Sequence, residues 1–189
     1  MKSNWKIDRE HSELRFETDY LVISKISGFI TSFDASFQTD ETGFKNITQV
    51  RLVADVNSLN THNPMRDAHL KNDQYFDASR YSDILFTSTE IIQGSDGLPG
   101  EFLSAEKKEF AIKGILTIKG ITKPVIMHGS FGGAILEAGR KIRAGFTIST
   151  TINRIDFGVG DVIHTKGGQL LLGEDVVITA NCQFIREAA

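Results

Sequence analysis

Cysteine is almost missing from this chain: Cys182 stands alone, which excludes an intrachain disulfide and any zinc knuckle built on paired thiols. No apolar run approaches the ~20 residues needed to cross a bilayer as a helix, and no lipidation motif ends the sequence, so no integral membrane segment is expected. An excess of positive charge is missing too. With a net charge of -3 the chain has nothing to gather nucleic acid or an anionic surface, and neither is expected as a partner. The opening residues, Met1-Lys2-Ser3-Asn4-Trp5-Lys6-Ile7-Asp8-Arg9-Glu10, place charges where a signal peptide needs aliphatics. That reads as a cytoplasmic protein, or a periplasmic one if a leader has been removed.

Catalytic signatures are also lacking. The five histidines, His11, His62, His69, His128 and His164, form no HExxH and no clustered ligand set, so neither metal nor cofactor is expected. No Gly-x-Ser-x-Gly elbow is present, and Cys182 follows Val176-Val177-Ile178-Thr179-Ala180-Asn181 in a strand pattern with no base nearby to activate it. Asp156-Phe157-Gly158 matches the kinase triplet without the glycine-rich loop or catalytic loop that give it meaning.

What is present is β patterning. Thirteen Phe and 17 Gly against only three Pro favour strands joined by tight glycine-bearing turns. At 189 residues, with no composition break and no repeat, one domain over 1–189 is expected. Strict alternation in Ser12-Glu13-Leu14-Arg15-Phe16-Glu17-Thr18 puts Leu14 and Phe16 on one face. Tyr20-Leu21-Val22-Ile23-Ser24-Lys25-Ile26 has apolar spacings of three and four, predicting a short helix stopped by Gly28. A strand is predicted next with Phe29, Phe33 and Phe37 on a common side, and further strands over 49–56, 84–92, 141–152 and 175–184. Residues 110–119 and 122–131 read as a hairpin turning at Gly120-Ile121, and 93–100 as a loop. About eight strands of this kind close most economically into an antiparallel barrel wide enough for one ligand. The fold class is therefore all-β, with one or two short helices.

One stretch breaks the pattern. Residues 63–77 concentrate Arg66, Asp67, His69, Lys71, Asp73 and Asp77 among Met65, Leu70, Tyr75 and Phe76, and Pro64 suits a first helical turn. A two-turn lid across one barrel end is predicted, with a solvated charged loop as the plainer alternative. Arg154, at the end of a long strand, either braces the barrel through loop carbonyls or grips a polar ligand head with its planar fork. The phenylalanines are read either as solid core or as cavity lining.

Several of these segments together resemble a known family. Trp5-x-Ile7-Asp8-x-x-His11-Ser12-x-Leu14-x-Phe16, Ile26-Ser27-Gly28-Phe29-x-x-x-Phe33 and Arg66-Asp67-x-His69-Leu70-Lys71-x-x-x-Tyr75-Phe76-Asp77 are similar to the YceI-like family of lipid-binding proteins. Gly114-x-Leu116-Thr117-Ile118-Lys119-Gly120-Ile121-Thr122-Lys123-Pro124-Val125 and Asn153-Arg154-x-Asp156-Phe157-Gly158 extend the resemblance over nearly the whole chain. It implies an extended, lipocalin-like barrel holding a long-chain isoprenoid or acyl lipid, with a homodimer left open because some relatives pair. On that reading the apolar cavity is lined by Phe16, Leu21, Phe29, Phe33, Met65, Leu70, Phe76, Phe86, Phe146 and Phe157. Arg66, Asp67, His69, Lys71, Asn153 and Arg154 then serve the lid or the ligand head. A non-enzymatic carrier follows; the rivals are an enzyme using His69 and Asp67 at the barrel mouth, and an interaction module with a filled core.

Overall fold

The computed structural model describes the chain apart from residues 1, 42, 95, 96, 102, 104–106, 138–140 and 187–189. Eleven strand segments form one antiparallel sheet: β1 (Lys2–Ile7), β2 (Glu13–Tyr20), β3 (Ser24–Ile30), β4 (Phe33–Asp40), β5 (Thr48–Asp55), β6 (Leu59–Asn60), β7 (Asp83–Gln93), β8 (Lys108–Ile118), β9 (Ile121–Leu136), β10 (Ile142–Asn153) and β11 (Leu172–Arg186). Among the described residues the α-helix is α1 (Pro64–Lys71).

The registers reduce eleven segments to eight courses. β1 and β2 both pair with β11, through Ile7↔Phe184 and Glu13↔Asn181. β4 and β3 pair with β1 and β2 in turn, through Lys6↔Ser36 and Arg15↔Phe29. β5 and β6 continue the series through Phe33↔Ala54 and Ile30↔Leu59. Each of these pairs is thus one long strand interrupted midway. Every course lies beside its neighbours in sequence and the last closes on the first, giving the eight-stranded antiparallel barrel that the alternation predicts.

The interruptions fall side by side, and each has a local cause. Asp8 caps a 3-10 turn over Arg9–His11 by accepting from the Glu10 amide, and Asp55 does the same for Val56–Ser58 through the Asn57 amide. Between them Thr31 and Ser32 leave the ladder to bond Ser58, the Thr31 amide donating to its carbonyl at 3.3 Å and the Ser32 amide to its Oγ at 2.9 Å. Arg9 crosses the same seam to Asp34 at 2.8 Å.

Connectivity sorts the barrel ends. One end carries the β2–β3 turn, the α1 segment, the β8–β9 turn and the long connection from β10 to β11; the other carries the start of β1, the end of β11 and the β4–β5, β7–β8 and β9–β10 sides of the strands. The second end is closed by aromatic rings. Trp5, Phe44 and Phe131 have no exposed surface, and Phe37, Phe146 and Phe184 pack with them at centroid separations of 4.8 to 6.0 Å. The Trp5 indole N–H is satisfied by Thr39 Oγ1 at 3.0 Å.

Three local expectations are corrected. Residues 20–26 form no helix: Leu21 and Val22, at φ 54° and 64°, make the β2–β3 turn, and Gly28 lies inside β3. Phe29 does not share a face with Phe33, because the break at Thr31-Ser32 separates β3 from β4. The β8–β9 turn uses Lys119 and Gly120, both at positive φ, with Ile118 paired to Ile121. The loop expected over 93–100 is found after Gln93, the last residue of β7, with Leu98 buried in the core; Ser95 and Asp96 lie outside the described residues.

Candidate ligand-binding site

Alternation turns one side of every course inward, yet the inward side is not filled along its length. Towards the aromatic floor the inward residues are fully buried, as at Phe110, Phe146 and Phe184. Towards the α1 end Phe16, Leu52, Ile84, Ile148, Val176 and Ile178 are only half-buried, although they pack against the same core. The space they face is an apolar cavity of about 400 Å³. Its wall is almost wholly hydrocarbon. On β11 the lining runs from Leu172 through Val176, Ile178, Ala180 and Cys182 to Phe184. That is ~40 Å along a strand rising ~3.3 Å per residue, or ~30 Å along a barrel axis at ~40° tilt.

Two glycines widen the bore. The Phe16 ring crosses Gly28, where an added Cβ would lie 2.4 Å from Cζ, and the Phe86 ring crosses Gly114 at the same distance. Both rings also line the cavity. A larger side chain at either glycine would drive an aromatic ring into the open space.

Polar residues Arg15, Arg51, Ser149 and Thr150 border the cavity along the strands, and a further set, Arg66, His69, Tyr75 and Arg154, stands at the α1 end. Helix α1 starts where Asn63 Oδ1 accepts from the Arg66 amide with Pro64 in the first turn, as predicted. Arg66 then turns back on Thr61, Nε donating to Oγ1 at 2.8 Å and Nη2 to the carbonyl at 2.7 Å. Asp67 Oδ1 accepts from the same residue's amide and hydroxyl, so Thr61 holds both side chains. His69 meets the Tyr75 ring edge to face at 4.9 Å, and both line the cavity. Lys71 donates to the Asn57 carbonyl at 2.7 Å and stays outside the lining.

Arg154 closes the other side of this end. Its guanidinium, 4% exposed, donates to the carbonyls of Gly173 at 2.9 Å, Val159 at 2.8 Å and Asp161 at 2.9 Å, and more distantly to Leu172. Burial lowers its pKa from the ordinary value, opposed by the nearby Tyr75, Glu174 and Asp161. Of the two readings of Arg154 the brace through loop carbonyls is seen directly, and the residue also borders the cavity. Asn153 works beside it as a cap, Oδ1 accepting from the Ile155 amide at 2.9 Å. Lys119 Nζ ties the two sides together through the carbonyls of Asp73 at 2.8 Å and Gly158 at 2.9 Å.

Of the residues predicted to line a cavity, Phe16, Leu70, Phe76, Phe86, Phe146 and Phe157 do so. The others lie elsewhere. Met65 is 85% exposed, Leu21 sits in the β2–β3 turn, Phe29 faces His62, and Phe33 is buried outside the lining. Of the predicted lid or head residues, Arg66, His69 and Arg154 reach the cavity, whereas Asp67, Lys71 and Asn153 hold backbone. Sequence reasoning missed the aliphatic wall, Val176 and Ile178 above all, and the Tyr75 ring. The period-two pattern of β11 carried the signal for the first two. The Cys182 thiol also lies on the wall, and burial pushes its pKa up to about 12.

Known proteins resemble this chain over most of its length. A UPF0312 protein of Vibrio cholerae is 31% identical over 149 residues, 79% of this chain and 72% of that one. The fold matches Burkholderia cenocepacia BcnA with a TM-score of 0.72 at 18% identity, covering 94% of this chain and 98% of BcnA. It also matches a polyisoprenoid binding domain from Saccharophagus degradans, implicated in plant cell wall breakdown, with a TM-score of 0.68 at 14% identity over 97% and 98% of the two chains. The YceI-like domain model matches residues 5–184, so that a closed eight-course barrel, an aromatic floor and an unfilled apolar bore are here the features of a member of the YceI-like domain family.

Proposed function

We propose that the barrel is a non-enzymatic carrier that takes a single long apolar chain, of polyisoprenoid, isoprenoid-quinone or long acyl type, into its bore. The carrying observation is the unfilled hydrocarbon cavity itself, running from the α1 end to the aromatic floor with Arg66, His69, Tyr75 and Arg154 at its α1 end. A bore of ~30 Å along the axis matches the thickness of an entire bilayer hydrocarbon core, about twice the reach of one leaflet's chains. A polyisoprenoid would be in line with the ligand of the Saccharophagus degradans neighbour. The tail contributes about 25 cal/mol for each Å² of apolar surface removed from water, so affinity rises with length until the bore is full. Arg66, His69 and Arg154 stand where a polar head would rest.

A reaction at the same mouth is the weaker reading. Asp67 is engaged by Thr61, and the His69 ring rests against Tyr75, which leaves no acid and base aimed at one another.

Native mass spectrometry of the purified protein, followed by extraction and by loading with a graded series of polyprenols and fatty acids, tests the proposal. A discrete bound mass, with dissociation constants falling as the tail lengthens, is the expected result. A clean ligand-free mass after incubation with every member of the series would overturn it.

A further inference from the structure

Among the described residues the three most exposed large apolar side chains are Ile23 at 85%, Met65 at 85% and Val22 at 72%. All three belong to the end of the barrel that carries α1, which is also the end where Arg66, His69, Tyr75 and Arg154 border the bore. Val162 and Ile163, 43% and 38% exposed, join them there. The Leu21 amide donates to the Leu171 carbonyl at 3.0 Å and the Leu171 amide to the Ile163 carbonyl at 2.8 Å. The β2–β3 turn and the β10–β11 connection are thereby stitched side by side, with the cavity-lining Tyr20 and Leu172 immediately behind them.

The backbone of this turn is unusual. Leu21 at φ 54° and Val22 at φ 64° occupy the left-handed region, where glycine or asparagine would sit without strain and a β-branched residue is an outlier. A turn that had only to reverse the chain would gain nothing from aliphatics held out to solvent. The charges nearby are of both signs, Asp19, Lys25, Asp161 and Lys166 with Arg66, Asp67 and Lys71 on α1; Lys25 is paired with Glu17 at 2.7 Å, and Arg66 and Lys71 are bonded to Thr61 and Asn57. No basic field forms, so anionic headgroups are not the attraction. Arg, Trp and Tyr, which anchor most protein interfaces, are absent from these tips, which consist of Val, Ile and Met.

We propose that this end of the barrel seats on a lipid bilayer, Val22 and Ile23 entering the hydrocarbon margin with Met65, Val162 and Ile163 beside them. The inference rests on the carrier reading, because a chain long enough to fill the bore has no appreciable free concentration in water and must be taken from, or returned to, a membrane. Docking at the mouth lets it pass without crossing solvent.

The test is flotation of the full chain with neutral phosphatidylcholine vesicles at low and high salt. Wild type, a V22E/I23E double variant and the flank control Ile126→Glu are compared, Ile126 being 51% exposed on β9 well away from the turn. Loading with a polyprenol delivered in detergent is measured on the same samples. Wild type and the control float, at both salt concentrations; the double variant partitions about tenfold less or weaker still, while its detergent loading is unchanged. Failure of wild type to float, equal flotation of the double variant, or a soluble dimer that the double variant dissociates would each overturn docking and, with loading intact, leave the carrier reading standing. Wild type that does not load from detergent overturns both.

Discussion

The ring of Phe16 lies across the Cα of Gly28 on the neighbouring strand, with no room for a side chain between them. Gly28→Ala therefore moves the ring into the bore or the strands apart. A loss of about 1–3 kcal/mol in urea unfolding is expected, the usual cost of overpacking, together with weaker binding of long tails. Gly28→Ala combined with Phe16→Leu should recover part of both, the Thr61 Cγ2 contact at 2.7 Å from the new Cβ remaining.

Arg154→Lys removes the fork that serves several carbonyls at once. A lysine reaches one or two of them, and the rest are left buried without a donor. Destabilisation of about 2–4 kcal/mol is expected by chemical denaturation. Loss of the guanidinium in Arg154→Met should cost at least as much.

Ala180→Phe narrows the bore about two-thirds of the way from Leu172 to the floor residue Phe184. Thermal stability should hold or rise, because a void is being filled with hydrocarbon. Binding should divide by length: tails that stop short of the block keep their affinity, and longer ones lose the increment that their outermost carbons gave. Calorimetry over a homologous series reads the break point.

Asp8 and Arg143 form an ion pair beside β11, with His11 also bonded to the carboxylate. The hydrogen bond from Arg143 holds the Asp8 carboxyl below its ordinary value of 3.8, and the pairing raises the Arg143 pKa. A carboxyl depressed by folding contributes stability that is present above its unfolded value and is lost as the pH falls towards the folded one. Wild type should thus lose stability as pH drops below about 4, and Arg143→Met should lose about 1 kcal/mol at neutral pH and show less of that acid dependence. Thermal midpoints from pH 3 to 7 give the comparison.

Cys182 should resist alkylation in the native protein, since its thiol pKa is pushed up to about 12 and its side chain is buried. Iodoacetamide labelling should appear only with global unfolding in urea. Rapid labelling of the folded protein at neutral pH would contradict the placement of this residue.

Much of the barrel was legible because its physics is local. Period-two alternation at Leu14 and Phe16, along 110–118 and along 176–184 follows directly from one wet and one dry face. Helix α1 was legible because Pro64 is chemically suited to its first turn. The turn at 21–23 was not. Leu, Val and Ile at spacings of three and four imitate a helical stripe, and nothing local announces that Leu21 and Val22 adopt left-handed backbone. Met65 was placed inward on amphipathicity, but α1 buries no residue fully and presents this one to solvent. Solid core and open bore draw on the same aliphatic alphabet; only the partial exposure of inward residues such as Val176 and Ile148 distinguishes them, and that belongs to the closed barrel as a whole.

The cluster of Trp5, Phe37, Phe44, Phe131, Phe146 and Phe184 gives the bore a dead end, and a dead end turns depth into a gauge. A tube open at both ends would accept any tail and let the surplus run out. On the carrier reading proposed above, a shaft stopped by packed rings would admit carbons up to a fixed number and leave the next one outside, so that its selectivity would be metric before it is chemical. Where that stop sits is written in six aromatic side chains, and trimming one of them to alanine would lengthen the measure.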